Sequence, residues 1–182
     1  EQGSVDNYPR VFEVVLKHRP WGILHLGAIM DAGLLDRNPM LAHKVNVEGT
    51  LHLFEAARLL GIAHVTMAST IGVIGRKQYE PIDGNHPTIL ADVGPIGSYS
   101  AGKLAAEAFA YAYHQQFGLQ TRIVRPSALY GFGMSWNAPN YMKQIVEPAV
   151  MGDEVKLTRG GKMPRDYAHA ADLAALMVAT LN

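Results

Sequence analysis

The chain has 182 residues, with sixteen Lys and Arg balancing sixteen Asp and Glu, and no cysteine. That length predicts one domain, and a hydrophobic content of 48% suffices for a buried core. The lack of Cys excludes disulfides and thiolate chemistry, and no Lys/Arg-rich run offers a face to nucleic acid. No apolar run reaches the roughly 18 residues of a membrane span, so no membrane partner is expected and a cytoplasmic location is. Glu1-Gln2-Gly3-Ser4 lacks the basic and apolar regions of a signal peptide and an initiator Met, so a start inside a longer chain is expected.

In chain order, Asn7 to His18 reads as a helix with Val11, Val14, Val15 and His18 on one side, stopped by Arg19-Pro20. Gly22 to Gly27 is a short apolar run, the pattern of a buried strand. Pro39 to Leu60 predicts a long helix, with Asn38 as N-cap, Pro39 in the first turn and Gly61 as its stop. Ala63 to Ala68 is the next strand. Gly72 to Ser98, with five Gly and three Pro, predicts a long irregular loop, and such loops usually carry function. Tyr99 to Phe117 is Ala-rich and helical up to Gly118. Thr121 to Val124 is a strand, Tyr141 to Met151 a helix, Glu154 to Leu157 a short strand and Ala170 to Leu181 a final helix. Strands alternating with helices predict an α/β fold, a parallel sheet with helices on both faces. Ligands of such sheets bind beyond the carboxyl ends of the strands, where Thr70 falls, after Met67-Ala68-Ser69.

Tyr99 and Lys103 lie one turn apart on the same face of a helix. A free Tyr titrates near about 10, and a cation within roughly 4–6 Å lowers that by about 1–3. Lys103 is therefore expected to make the phenol acidic enough to exchange a proton with an alcohol or carbonyl. Thr70 is the expected hydrogen-bond partner of the same substrate oxygen. Taken alone, the Tyr–Lys spacing also suits a solvated stripe, and Thr70 also suits a turn cap. The helix face around Ala106 and Ala110 is apolar and is expected to pack two copies of the helix together in a homodimer. The eight His show no metal-ligand spacing, and no metal is expected.

Six segments follow one another along the chain: His25-Leu26-Gly27-Ala28, Asn46-Val47-Glu48-Gly49-Thr50, Ser69-Thr70-Ile71-Gly72-Val73-Ile74-Gly75, Tyr99-Ser100-Ala101-Gly102-Lys103, Arg125-Pro126-Ser127-Ala128-Leu129-Tyr130-Gly131, and Arg165-Asp166-Tyr167-Ala168-His169-Ala170-Ala171-Asp172-Leu173-Ala174. In this order the set resembles the extended short-chain dehydrogenase/reductase family, also called the NAD-dependent epimerase/dehydratase family. The resemblance implies a Rossmann-like doubly wound parallel sheet, incomplete at both ends. Residues 1–130 would be a truncated cofactor-binding and catalytic core, and 131–182 the start of a substrate-binding region with a returning core helix. It implies NAD, or NADP, held by Ser4, Val5, Leu26, Gly27, Ala28, Asn46, Ala68, Ser69, Tyr99, Lys103, Pro126 and Ser127.

The same resemblance implies roles. Tyr99 would be the acid/base, tuned by Lys103 and by the positive charge of an oxidised nicotinamide. Lys103 would also touch ribose, Thr70 would bind the substrate hydroxyl, and Asn46 would support the site. Thr70, Tyr99, Asn140 and Arg165 would meet a sugar or nucleotide-sugar substrate, Arg165 on its phosphate. An ion pair of Arg165 with Asp166 or Asp172 is the other reading. His25 and His169 are expected to be structural.

Departures from the family pattern bear on function. The glycine-rich phosphate loop is not among these residues, and Ser4 stands where an Asp is usual. The chain is therefore expected to begin after two strands and two helices of the family fold and to stop before much of its substrate domain. Ile71-Gly72, rather than Asp-Glu, follows Thr70, which argues against dehydration. Ala128 replaces the Asn or Thr of several sugar-nucleotide members, while Pro139-Asn140-Tyr141-Met142 is similar to the border of a nucleotide-sugar site. The expected function is an NAD(P)-dependent epimerase or dehydrogenase acting on a secondary alcohol of a sugar or sugar nucleotide. The alternative is a non-catalytic or truncated binding module derived from this family.

Overall fold

The computed structural model describes residues 1–90, 97–132, 141–162 and 165–181. Helix α1 (Tyr8–His18) starts where the Asn7 side chain accepts the Arg10 N–H at 3.2 Å, and ends at Arg19 in the left-handed region (φ 44°). Strand β1 (Gly22–His25) and a short helix α2 (Ala32–Arg37) follow. Next come a π-helical segment (Ala42–Glu48), helix α3 (Gly49–Leu60) and strand β2 (His64–Ala68). A single 3₁₀ turn (Ile71–Ile74) leads into the loop before helix α4 (Gly97–Phe117) and strand β3 (Gln120–Val124). Strand β4 (Ala128–Tyr130), helix α5 (Tyr141–Met151), strand β5 (Tyr167–His169) and helix α6 (Ala170–Ala179) complete the described elements.

Strands β1, β2 and β3 form one parallel sheet in that order, with Leu24 opposite Thr66 and Thr66 opposite Arg122. Central β2 is covered on both faces, and its side chains alternate accordingly. Val65 and Met67 are fully buried in a core with Phe54, Ala56 and Ala57 of α3 and Ala106 and Ala110 of α4. Between them Thr66, also fully buried, has its Oγ1 3.3 Å from that of Thr180, at the end of α6. Leu181 reaches β1 on the same side, where a Cβ on Gly22 would lie 3.2 Å from its Cδ2. The sheet is thus wound on both faces, a Rossmann-like arrangement.

Four expectations change. Asn38 does not open the long helix. It closes α2, whose own cap is Asp31, and α2 itself carries too little sequence for a periodic signal. The helix after Pro39 contains a π-helical segment before it becomes regular at Gly49. Glu154 to Leu157 forms no strand among the described residues; the two extra strands are instead β4 and β5, paired in parallel with Ala128 opposite Tyr167. Ala106 and Ala110, expected to face a second copy, are fully buried within this chain, so a homodimer cannot form through them.

The loop after β2 is fastened at Gly75. Arg76 N–H donates to the Ile89 carbonyl at 2.9 Å and Ile89 N–H to the Ile74 carbonyl at 3.0 Å. Gly75 has φ 61°, and a Cβ there would overlap the Ile89 carbonyl. A side chain is therefore excluded both by backbone conformation and by space. Gly75→Ala is expected to lower stability by about 2 kcal/mol or more, read as a drop in the urea midpoint. An unchanged midpoint would remove the argument.

Candidate active site

The site is built on α4 and on the carboxyl ends of β1 and β2. Tyr99, Lys103 and Glu107 repeat every four residues along α4, so they lie on one face of the helix. All three are buried, Lys103 and Glu107 to 1% exposure. The helix comes close to the π-helical segment because Gly102 has no side chain. A Cβ there would sit 3.4 Å from both the Ala42 carbonyl oxygen and the Asn46 Cβ.

Lys103 Nζ donates to the carbonyl oxygen of Ala68, the last residue of β2, at 2.8 Å. Burial pushes its ammonium down to about 8, and the carboxylate of Glu107 works in the opposite direction. Thr70 follows β2 in extended conformation, and its Oγ1 accepts the Gly72 N–H at 3.1 Å as the cap of the 3₁₀ turn. The turn-cap reading of Thr70 therefore holds, and the same hydroxyl eases ionisation of the Tyr99 phenol. Backbone pairing with β3 extends past its formal end, from Ser69 N–H to Val124 (2.7 Å) and from Ile71 N–H to Pro126 (2.9 Å). That pairing sets Ser69, Thr70, Pro126 and the half-buried Ser127 side by side.

One electrostatic expectation is corrected. Tyr99 is not made acidic by Lys103: burial pushes the phenol up, and only the Thr70 hydrogen bond pulls it back. Taking a phenol out of water penalises its anion, and the Lys103 ammonium is directed at Ala68 instead.

Asn46 is fully buried and clamps the segment after β1. Its Oδ1 accepts the Ile29 N–H at 2.8 Å and its Nδ2 donates to the Ile29 carbonyl at 2.9 Å. Upstream of that clamp Leu26 and Gly27 are exposed and Ala28 half-buried. The N-terminal segment lies against them: a Cβ on Gly27 would be 3.7 Å from Val5 Cγ1. His52 Nδ1 donates to the Val5 carbonyl at 2.8 Å, and the Ser4 carbonyl accepts the Asn7 N–H at 3.1 Å. Arg165 is exposed at the approach to β5. Asn140 lies outside the described residues.

His25, expected to be structural, carries a specific hydrogen bond. The Thr50 hydroxyl donates to the Asn46 carbonyl at 2.8 Å, so at 3.0 Å from His25 it accepts the Nε2–H. The imidazole is therefore the Nε2–H tautomer. Burial first, and then the Lys103 charge, hold it at about 4. The sequence reading missed this link and also Glu107, whose carboxylate takes a bidentate bond from Arg125 at 3.0 and 2.6 Å. A third polar residue at the same four-residue interval on an Ala-rich helix was the available signal.

A doubly wound parallel sheet of this kind, with its helices on both faces, is a Rossmann-like, dehydrogenase/reductase-type fold. All 182 residues match the NAD dependent epimerase/dehydratase family, and the chain belongs to it. It is 30% identical to a UDP-glucose 4-epimerase of Rhizobium leguminosarum bv. trifolii, over 96% of this chain and 56% of that protein. It is 29% identical to UDP-glucuronic acid decarboxylase 1 of Xenopus tropicalis, over 88% of this chain and 38% of that protein. The chain thus spans about half the length of the curated relatives it matches. The UDP-glucose 4-epimerase of Thermus thermophilus, solved in complex with NAD, superposes with a TM-score of 0.80 at 25% identity, covering 98% of this chain and 58% of that one. The UDP-glucose 4-epimerase of Thermotoga maritima, solved with UDP-glucose, shares the fold with a TM-score of 0.85 at 21% identity, covering 100% and 58%. No helix among the described residues is long and apolar enough to cross a membrane.

Two outcomes follow from this geometry. Asn46→Leu leaves the Ile29 N–H and carbonyl without partners and is expected to cost about 1–3 kcal/mol, with faster hydrogen exchange at Ile29. Exchange at the parent rate would show that the clamp is not what orders this segment. His25 sits at about 4 in the folded chain against an ordinary 6.5. Its neutrality therefore contributes stability above pH 6.5 that is lost as the pH falls toward 4, about 3 kcal/mol in full. Comparing urea midpoints at pH 7 and pH 4.5, His25→Asn should lose less stability on acidification than the parent. Equal losses would exclude His25 as the source.

Proposed function

We propose that this chain carries the catalytic part of an NAD-dependent epimerase that oxidises a secondary alcohol of a sugar nucleotide. The observation that carries the reading is the buried Lys103, bonded to the Ala68 carbonyl at the end of β2, one helical turn from the buried Tyr99. The named relatives, UDP-glucose 4-epimerases among them, support the substrate class and the choice of epimerase.

The residues present fit the cofactor. The Lys103 ammonium has three donors and, among the described residues, makes one hydrogen bond, to Ala68, despite its burial. The buried Ser69 hydroxyl, next in the chain, has no partner among the described residues. Such groups call for polar atoms from outside, and the hydroxyls of a nicotinamide ribose are of that kind. Lys103 and Ser69 would hold that end of NAD, and the exposed Leu26-Gly27-Ala28 segment, with Ser4 and Val5 beside it, would lie along the rest. When bound, NAD supplies the hydride acceptor.

The chain's own groups handle the proton. The Tyr99 phenol, held protonated by burial, is poised to donate to a substrate carbonyl oxygen, and its anion to accept from an alcohol. Thr70 orients that oxygen by sharing its hydrogen bonds with the phenol. Ile71 and Gly72, next to Thr70, offer no acid for an elimination, which favours epimerisation over dehydration.

In the full-length enzyme, Tyr99→Phe is expected to lower UDP-glucose turnover by about two to four orders of magnitude. NAD affinity, followed by fluorescence, should stay close to that of the parent. Turnover within threefold of the parent would rule out the role given to the phenol.

A further inference from the structure

Lys103 occupies an unfavourable place for a charge. It is 1% exposed, its one hydrogen bond goes to a neutral carbonyl, and it lies in the second turn of α4. Burial penalises an ammonium, and the positive end of the helix dipole adds to the penalty. The carboxylate that offsets this is one turn along the same face: Glu107 is also 1% exposed, and burial of an acid is itself costly without a partner. Arg125, at the end of β3, provides that partner through two near-parallel bonds of 3.0 and 2.6 Å. The guanidinium fixes the orientation of the carboxylate along α4.

We propose that Glu107, clamped by Arg125, is the buried counter-ion that keeps Lys103 an ammonium at the carboxyl end of β2. Glu107 is then a positioning residue: it acts on the reaction only through the charge of Lys103. This rests on the catalytic reading given to Lys103 above, but the charge relation is a property of the chain alone.

Among the described residues, the other groups around Lys103 do not supply a negative charge. His25, from β1, is neutral, and protonating it would add a second positive charge beside the ammonium. Tyr99, one turn back on α4, is held in its neutral form. On the π-helical segment, His43 and Lys44 are exposed, and Glu48 is 45% exposed and 3.4 Å from His43. Ser69 and Asn46 carry no charge. Among the described residues Glu107 is thus the buried acid on the Lys103 face of α4, and its attraction raises the pH at which Lys103 loses its proton. Lys103 is charged below that pH and loses its charge as the pH rises through it.

The test is a direct titration of Lys103 in protein labelled with carbon-13 at the lysine Cε, assigned with Lys103→Met. In the parent the Cε signal of Lys103 should titrate near pH 8. In Glu107→Gln, which keeps the side chain's shape, the midpoint should move down by about one pH unit or more. Should that variant fail to fold, Glu107→Gln/Arg125→Gln removes both charges together and should give a smaller fall in the same direction. An unmoved midpoint in the folded variant overturns the proposal, as does a parent Lys103 that titrates below pH 7. In full-length enzyme the pH profile adds a readout that a packing defect would not produce. Turnover of the Glu107 variant should approach the parent at pH 6 and fall away severalfold by pH 8.5, whereas a packing defect lowers turnover equally at all pH values. A moved midpoint in an enzyme whose parent shows no turnover would leave the counter-ion assignment standing and remove the catalytic reading.

Discussion

The hydrogen bond from Lys103 to the Ala68 carbonyl joins the two halves of this molecule. Its donor belongs to α4 and its acceptor to the end of β2. An ammonium this deeply buried is stable only if its surroundings are fixed, because small displacements at low effective dielectric carry a large electrostatic cost. That requirement sets the register between helix and sheet. It places Tyr99 one turn away opposite Thr70, and Glu107 one turn the other way within reach of Arg125 on β3.

A second constraint comes from the π-helical segment. The wider turn carries Asn46 into the interior while Thr50 caps the Asn46 carbonyl and receives His25. Turns of this kind are costly and are found mostly at functional positions. Here one turn secures two things: the segment after β1 through Ile29, and the approach of α4 through Gly102. Removing the glycine's freedom of approach or the asparagine's amide would disturb opposite sides of the same cleft.

Most of the elements that hold the site were legible in the sequence because they are long or capped. The Ala-rich helix from Tyr99, the buried runs of β1 and β2, and the Gly61 and Gly118 stops are local signals. Strands β4 and β5 are three residues each, and each is specified by a partner some forty residues away, so nothing in their own residues marks them. The π-helical turn has the composition of an ordinary helix and was invisible for that reason. Ala106 and Ala110 were read as a dimer face, but small residues pack equally well against the chain's own α3 as against another copy. The chemistry followed the same division. The spacing of Tyr99 and Lys103 puts them on one helix face, and Thr70 was placed by the family resemblance, whereas the charge state of the phenol depends on how much water the fold removes. The Glu107–Arg125 pair depends on a crossing of helix and strand that no local pattern records.

Thr70 has one further property. Its oxygen already accepts from the Gly72 backbone, and its single proton can point in only one direction at a time. That proton is left to turn toward another acceptor, and because rotating a hydroxyl costs far less than moving a backbone, the cap on the Gly72 N–H can stay in place while the proton changes direction.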